Sequence, residues 1–282
     1  MSESGDKVAV KMSDKNIAET ERKVIRIHES GDVQLRFGKA NAKLAELERG
    51  ASIKYIVATF SLPAGWTCPF AVDCLTKADR ITGKVTDGKQ MEFRCFAASD
   101  EARSPDARKL RWHNFDSLRQ LDSASMAKLI DRSLHIDKHA RKANVIRIHV
   151  SGDFFNQAYF DAWCAVANMN PDTVFYAYTK SINYWVANLG AIPNNLNLTA
   201  SWGGRHDALI GEYNLKSARV VFSEDEALQL GLTIDHDDSH AAFGNASFAL
   251  LVHGTQPKGS KASAALSTMR ANGTKFSYSS RS

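Results

Sequence analysis

From residue 145 to residue 252, short apolar runs alternate with amphipathic stretches, and each run stops at a polar or glycine-bearing turn. The runs cover 145–150, 174–178, 197–200, 218–222 and 246–252. They are too short for helices and rich in Val, Ile, Phe and Tyr, so they predict strands. Between the first two, Tyr159, Phe160, Trp163 and Val166 recur at helical spacing and predict an amphipathic helix over 156–168. Shorter helices are predicted over 182–190 and from Ser223-Glu224 to Leu230. Strands separated by helices form parallel βαβ units. Mostly apolar strands are what a sheet covered by helices on both faces requires.

Upstream the pattern is less regular. Residues 24–28 read as a short strand followed by a turn at Gly31-Asp32, and 40–48 as a short helix ended by Gly50. Residues 52–60 form a sixth apolar run, broken by Pro63-Ala64-Gly65. Gly83 to Gly88 reads as a hairpin or loop turn, and 106–141 is helical in pattern and rich in Lys and Arg. The expected fold is α/β, a partial parallel (β/α) barrel of about six strands with an irregular N-terminal segment. The expected organisation is a flexible 1–20, a single α/β domain over 21–270, and a flexible tail over 271–282.

Parallel strands make their ends informative, because ligands in such folds bind beyond the carboxyl ends of the strands. Here those ends carry Cys68 and Cys74, then Ser151-Gly152-Asp153, Thr179-Lys180, the segment from Ser201 to His206, Ser223-Glu224 and His253-Gly254-Thr255. Loops are wet, which explains any one polar end; six in series point to a site. Ser151, Gly152, Asp153, Lys180, Ser201 and Arg205 are the candidate cofactor-binding residues. Gly152 allows close backbone approach, Asp153 could receive an amine or hydroxyl, and Lys180 could pair with an anion. Gly203-Gly204-Arg205-His206 offers backbone N–H groups beside a cation.

A second cluster, Asp235-His236-Asp237-Asp238-Ser239-His240, suits either a divalent metal or acid–base work, or else is a solvated acidic loop. Candidate catalytic groups are Asp153, Lys180, His236, His240 and His253. His149, inside a strand, reads as a satisfied core histidine, and Cys164 beside Trp163 as a buried small hydrophobe.

Composition narrows the class. The chain has 282 residues, enough for a full core, a net charge of +5 and four cysteines. No apolar run reaches membrane-spanning length and no signal-peptide stretch opens the chain, so the expected location is the cytoplasm. Four cysteines do not make a disulfide framework, and reduced thiols favour metal or catalytic roles. The basic residues from Arg103 to Lys142 are either solvated helix faces or an anion-facing surface, which makes nucleic acid a candidate partner.

Cys68, Cys74 and Cys95 are separated by five and then twenty residues, in loop contexts. That fits the paired spacing of zinc sites poorly. Iron–sulfur clusters tolerate variable spacing, and three thiolates would leave one iron of a 4Fe-4S cluster open. Three unligated thiols remain the third reading.

The stretches Ser61-Leu62-Pro63-Ala64-Gly65-Trp66-Thr67-Cys68-Pro69, Phe93-Arg94-Cys95-Phe96-Ala97-Ala98-Ser99, Gly152-Asp153-Phe154-Phe155, Phe175-Tyr176-Ala177-Tyr178-Thr179-Lys180-Ser181, Asp235-His236-Asp237-Asp238-Ser239-His240-Ala241 and His253-Gly254-Thr255-Gln256-Pro257 together resemble the bacteriophage gene product 88 family, from about residue 50 to about residue 270. That resemblance implies a phage origin. A more distant, architectural likeness is to radical S-adenosylmethionine enzymes, where three cysteines hold a 4Fe-4S cluster and the open iron chelates the cofactor. Ser151-Gly152-Asp153 would stand at their amine-binding turn. Their cysteines share one short loop, whereas Cys95 lies far downstream.

These observations lead to an expected iron–sulfur protein with Cys68, Cys74 and Cys95 as ligands. It would be a radical S-adenosylmethionine-like enzyme acting on a nucleotide or nucleic-acid-related substrate, or another small molecule, with S-adenosylmethionine as candidate cofactor. The competing expectation is a nucleic-acid-binding protein with a structural metal and no catalysis.

Overall fold

The computed structural model describes residues 33–50 and 54–274. The expected strand at 24–28 and its turn, the segment 1–20 and the end of the tail lie outside the described residues. The chain divides into Met1–Gln34 and Leu35–Ser282, and all elements named below belong to the second unit.

In chain order, Gly38–Lys39 (β1) and the helix Ala42–Gly50 (α1) precede the strand Val57–Ser61 (β2). Thr76–Ala78 (β3) and Val85–Asp87 (β4) pair as a small antiparallel ribbon. Three helices follow, Phe96–Arg103 (α2), Pro105–Leu118 (α3) and Ser123–Ile136 (α4). The regular alternation then begins, with Val145–Ser151 (β5), Gln157–Met169 (α5), Val174–Thr179 (β6), Ile182–Val186 (α6), Leu196–Ser201 (β7) and Ala208–Glu212 (α7). It continues with Ser217–Val221 (β8), Glu224–Gln229 (α8), Thr233–Ile234 (β9), Ser239–Ala242 (α9), Phe248–Leu251 (β10) and Lys261–Ala271 (α10).

Helix starts follow the side chains available to satisfy the first free N–H groups. Ser104, with Pro105 at the first helical position, accepts from Ala107 N and starts α3. Asp122 accepts from Ser125 N at 2.7 Å and starts α4, which is why the single helical stretch expected over 106–141 is two helices. Asn156 accepts from Tyr159 N at 2.8 Å and starts α5.

One eight-stranded sheet runs in the order β1-β2-β5-β6-β7-β8-β10-β9. The six expected strands are β2, β5, β6, β7, β8 and β10, all parallel to one another and placed side by side in chain order. β1 joins antiparallel at one edge and the two-residue β9 joins parallel at the other. No ladder joins those edges among the described residues, so the sheet is open. The α/β expectation and the parallel sheet hold; a barrel is not seen in the pairing. On one face Leu44 and Leu47 of α1 and Ala241 and Ala242 of α9 pack on Val57, Val145, Tyr176 and Phe248. On the other, Trp163 of α5 packs against Phe60 and Phe175 at ring-centroid distances of 5.4 and 6.1 Å.

Candidate functional site

Parallel pairing brings the carboxyl ends of β5, β6, β7, β8 and β10 to one rim. A chamber of about 170 Å³ opens there. Its wall includes Cys68, Cys74 and Cys95 from the segment after β2, His149 and Asp153 around the end of β5, Lys180 after β6, Ser201 of β7 and His253 after β10. Val220, Leu250, Val252 and the Phe96 ring supply apolar surface.

The cysteine-bearing segment is clamped to that rim. Glu101 of α2 is fully buried, and its Oε1 accepts from Ala64 N at 2.8 Å, Arg111 Nη1 at 3.0 Å and Ser151 Oγ at 3.1 Å. Leu62 N donates to Ser151 O at 2.8 Å. Farther along, Val72 N and Asp73 N both donate to Gly203 O at 3.0 Å. Ser151 is thus a buried strut. Gly152, at φ +87°, is a glycine because Thr67 and Leu62 press on it.

Asp153 and Lys180 form the polar shoulder of the chamber. Asp153 Oδ1 accepts from Thr179 Oγ1 at 2.6 Å and Phe154 N at 2.7 Å, and Oδ2 accepts from Lys180 N at 2.8 Å. Lys180 Nζ donates to Ser201 Oγ at 2.7 Å, to Ser201 O at 3.1 Å and to Trp202 O. Its three donors are therefore engaged in tying β6 to β7.

Burial pushes the Asp153 carboxyl up to about 6, against the hydrogen bonds from Thr179, Lys180 and Phe154. A buried carboxyl disfavours its charged form. The folded state therefore holds this proton to higher pH than the unfolded chain does. Its contribution favours folding below the unfolded value of about 3.9 and is lost as pH rises to about 6, a change of about 3 kcal/mol. A carbon-detected NMR titration of Asp153 is expected to show a midpoint about two units above an exposed aspartate. A midpoint near 4, or an unchanged stability slope in Asp153→Asn, would contradict this environment.

His149 is the departure from expectation with the clearest geometry. The β2–β5 register passes from Thr59↔Arg147 to Ser61↔Ser151, so β5 carries a bulge that spans His149. His149 itself adopts φ +69°, which is uncommon for a residue with a Cβ. Bulges re-aim side chains, and the ring lies against the α5 side, with Nε2 at 3.0 Å from Tyr159 OH. Nδ1 is buried and has no hydrogen-bond partner among the described residues. Burial, with Arg147 adding to it, lowers the ring to about 3, so it is neutral near pH 7. The residue expected to be a satisfied core histidine is an unsatisfied one on the chamber wall.

An ion group also forms part of the chamber wall, through Lys43, Arg147, Tyr178 and Asp238. Asp238, fully buried, accepts at Oδ1 from Lys43 Nζ at 2.5 Å and Tyr178 OH at 2.9 Å. At Oδ2 it accepts from Arg147 Nη1 at 2.6 Å and Tyr176 OH at 3.0 Å. The Asp/His segment is therefore neither a solvated loop nor a metal cluster. His236 is exposed, and His240 Nδ1 stands 3.8 Å from Asp235 Oδ1 while its ring packs on Phe248 at 5.6 Å. Neither lines the chamber. His253 does; its Nδ1 donates to Leu251 O at 3.0 Å, its ring packs on Phe96 at 4.4 Å, and burial lowers it to about 4.

The expected anion nest at Gly203-Gly204-Arg205 is already filled. Asp207 accepts from Gly203 N at 2.8 Å and Gly204 N at 2.9 Å, while Arg205 is exposed outside the chamber. Two of the basic residues expected on a nucleic-acid face are also turned inward. Arg108 donates to Arg80 O and Ile81 O, and Arg111 to Ala97 O and Glu101.

The iron–sulfur reading is corrected. Among the described residues, no group of three or more His, Cys, Asp or Glu side chains is arranged to hold a metal ion. Cys68, Cys74 and Cys95 share the chamber wall and sense one another electrostatically. Burial pushes all three thiols up, Cys95 to about 12. The three-cysteine 4Fe-4S centre with an open iron, and the structural-metal alternative, both fall with the absence of such a group among the described residues. Cys164 is half-buried on α5.

Comparison with known proteins agrees with the phage resemblance and gives none to radical S-adenosylmethionine enzymes. A stretch of 90 residues, 30% of this chain, is 34% identical to the Gene 88 protein of Mycobacterium phage L5. That stretch spans 38% of the relative's length. No solved structure matches the chain. No helix among the described residues is long and apolar enough to cross a membrane. The family model described as Gene product 88 matches residues 34–272, which include the whole sheet and its rim, so the chain belongs to the gene product 88 family.

Proposed function

We propose that this chain is a small-molecule-binding protein whose ligand occupies the rim chamber and offers a polar group to His149 Nδ1. His149 carries the reading. Buried polar atoms in folded proteins are nearly always paired, and an unpaired one costs about 1–3 kcal/mol. A left-handed backbone at a residue with a Cβ costs a similar amount and clusters at ligand sites. Both occur at one residue, and that residue faces a cavity. A ligand hydroxyl would satisfy Nδ1 in either tautomer of the ring, and a carbonyl in the tautomer that carries the proton on Nδ1.

Size and wall chemistry bound the ligand. A dry cavity of about 150 Å³ accepts benzene, so about 170 Å³ suits a single ring or a comparable fragment. The neutral thiols, Phe96, Val220 and Leu250 suit an apolar body. Asp153, next to them, is positioned for an amine or hydroxyl.

The test uses p-cresol and toluene, which differ by one hydroxyl, with binding read by calorimetry. The wild-type chain is expected to bind p-cresol about tenfold more tightly than toluene. His149→Phe should abolish that preference while retaining toluene. Val220→Phe, which fills the chamber from β8, should block both, with unchanged circular dichroism. The proposal fails if the wild-type chain binds neither probe, or if His149→Phe keeps the preference.

A further inference from the structure

A second cavity adjoins the chamber and has the opposite character. It measures about 490 Å³ and shares Phe96, Ala97, Val150 and His253 with the chamber wall. Its remaining lining brings together Arg103 of α2, Arg111 of α3 and Arg270 of α10, against one carboxylate, Asp100. Arg111 is paired with Asp100 at 2.8 Å and with Glu101 at 3.0 Å. The Arg103 and Arg270 side chains are exposed and have no ion pair or hydrogen bond among the described residues.

We infer that this cleft is an anion site, and that it receives a phosphate-like or phosphonate-like end of the ligand whose ring lies in the chamber; the second half of this statement rests on the chamber being a ligand site. Arginine recognises phosphate oxygens through a planar, multi-donor group. Here two unengaged guanidinium groups from helices far apart in sequence meet over one opening. Each also lies in the last turn of its helix, where a cation is favoured in any case. That preference explains each arginine separately. It does not explain their convergence with Arg111 on a cleft that shares a wall with the chamber. The geometry also orders the ligand: polar group at His149, ring against the thiols, anion beyond His253.

The probes are inorganic phosphate, p-cresol and 4-hydroxybenzylphosphonate, which is p-cresol extended by the anion. At low salt the phosphonate is expected to bind the wild-type chain at least about tenfold more tightly than p-cresol. R103Q/R270Q should remove that gain and leave p-cresol affinity unchanged, and the gain should shrink with added salt. Lys109→Gln, at an exposed cation of α3 outside the cleft, should keep it. The inference is overturned if the phosphonate binds no tighter than p-cresol. It is equally overturned if the gain survives R103Q/R270Q, or if Lys109→Gln removes it to the same extent. Phosphate bound by the wild-type chain and lost in R103Q/R270Q, with p-cresol never bound, would sink the chamber reading and leave the anion site standing.

Discussion

Asp238→Ala is expected to lower folding stability by about 4 kcal/mol, the cost of removing one partner from a buried ion group. Asp238 is the point where Lys43, Arg147 and two tyrosine hydroxyls converge, all within 2.5 to 3.0 Å. Truncation leaves two buried cations facing one another and two hydroxyls without their acceptor. Asp238→Asn should cost nearly as much, since an amide can serve the hydroxyls but carries no charge for Lys43 and Arg147. The triple replacement K43M/R147M/D238L should recover much of the loss, because an apolar group of similar volume needs no compensation. Equilibrium urea unfolding gives the comparison. An Asp238→Ala midpoint within experimental error of wild type would remove the ion group from any structural role.

The same carboxylate fixes a pH dependence. Burial alone would push the Asp238 carboxyl up, but Arg147 and Lys43 hold it well below the usual carboxylate range. The unfolded chain takes up this proton first as pH falls. Its stabilisation is complete above about pH 4 and drains away as pH drops through the folded value. Asp153 acts in the opposite sense over the interval from about 4 to about 6. The two therefore separate: Asp238→Asn flattens the acid limb, and Asp153→Asn flattens the slope above it.

The fold was legible where apolar runs and their breaks were local. All six long strands follow from short, mostly apolar runs between turn signals, and the rim residues Asp153, Lys180, Ser201 and His253 follow from the rule that parallel strands end together. The ion group was not legible, because Lys43 and Asp238 lie at opposite ends of the described chain and meet only through the stacking of α1 and α9 on one sheet face. Within Asp235-His236-Asp237-Asp238, a run that reads either as a metal or acid–base cluster or as a solvated loop, Asp238 turns inward on a left-handed backbone at φ +69°. The His149 bulge was hidden for a related reason. Counting along β5 gives a period of two, and only the partner strand reveals the extra residues. The filled nest at Gly203-Gly204 did carry a signal. An aspartate three residues beyond a Gly-Gly pair is placed to accept their N–H groups, so Asp207 could have been preferred over an external anion.

Gly152→Val is the second large effect, expected to cost about 4 kcal/mol through backbone strain and overpacking together. At φ +87° a Cβ would stand 2.5 Å from Thr67 Oγ1 and 2.7 Å from Leu62 Cβ. Neither neighbour can simply retreat. Thr67 is fully buried and its Oγ1 donates to Pro63 O at 2.8 Å; Leu62 is fully buried and its N donates to Ser151 O at 2.8 Å. Relief therefore requires the segment from Leu62 to Cys68 to lift from the end of β5. That segment supplies the Cys68 wall of the chamber, so the variant should lose p-cresol binding in whatever fraction remains folded. Gly190→Val is the control, because nothing lies within 4 Å of a Cβ there and its backbone needs no left-handed φ. If Gly152→Val unfolds at the same urea concentration as Gly190→Val, the segment is not clamped to the rim. The chamber would then be a surface that opens freely, and a satisfied His149 would no longer require a ligand.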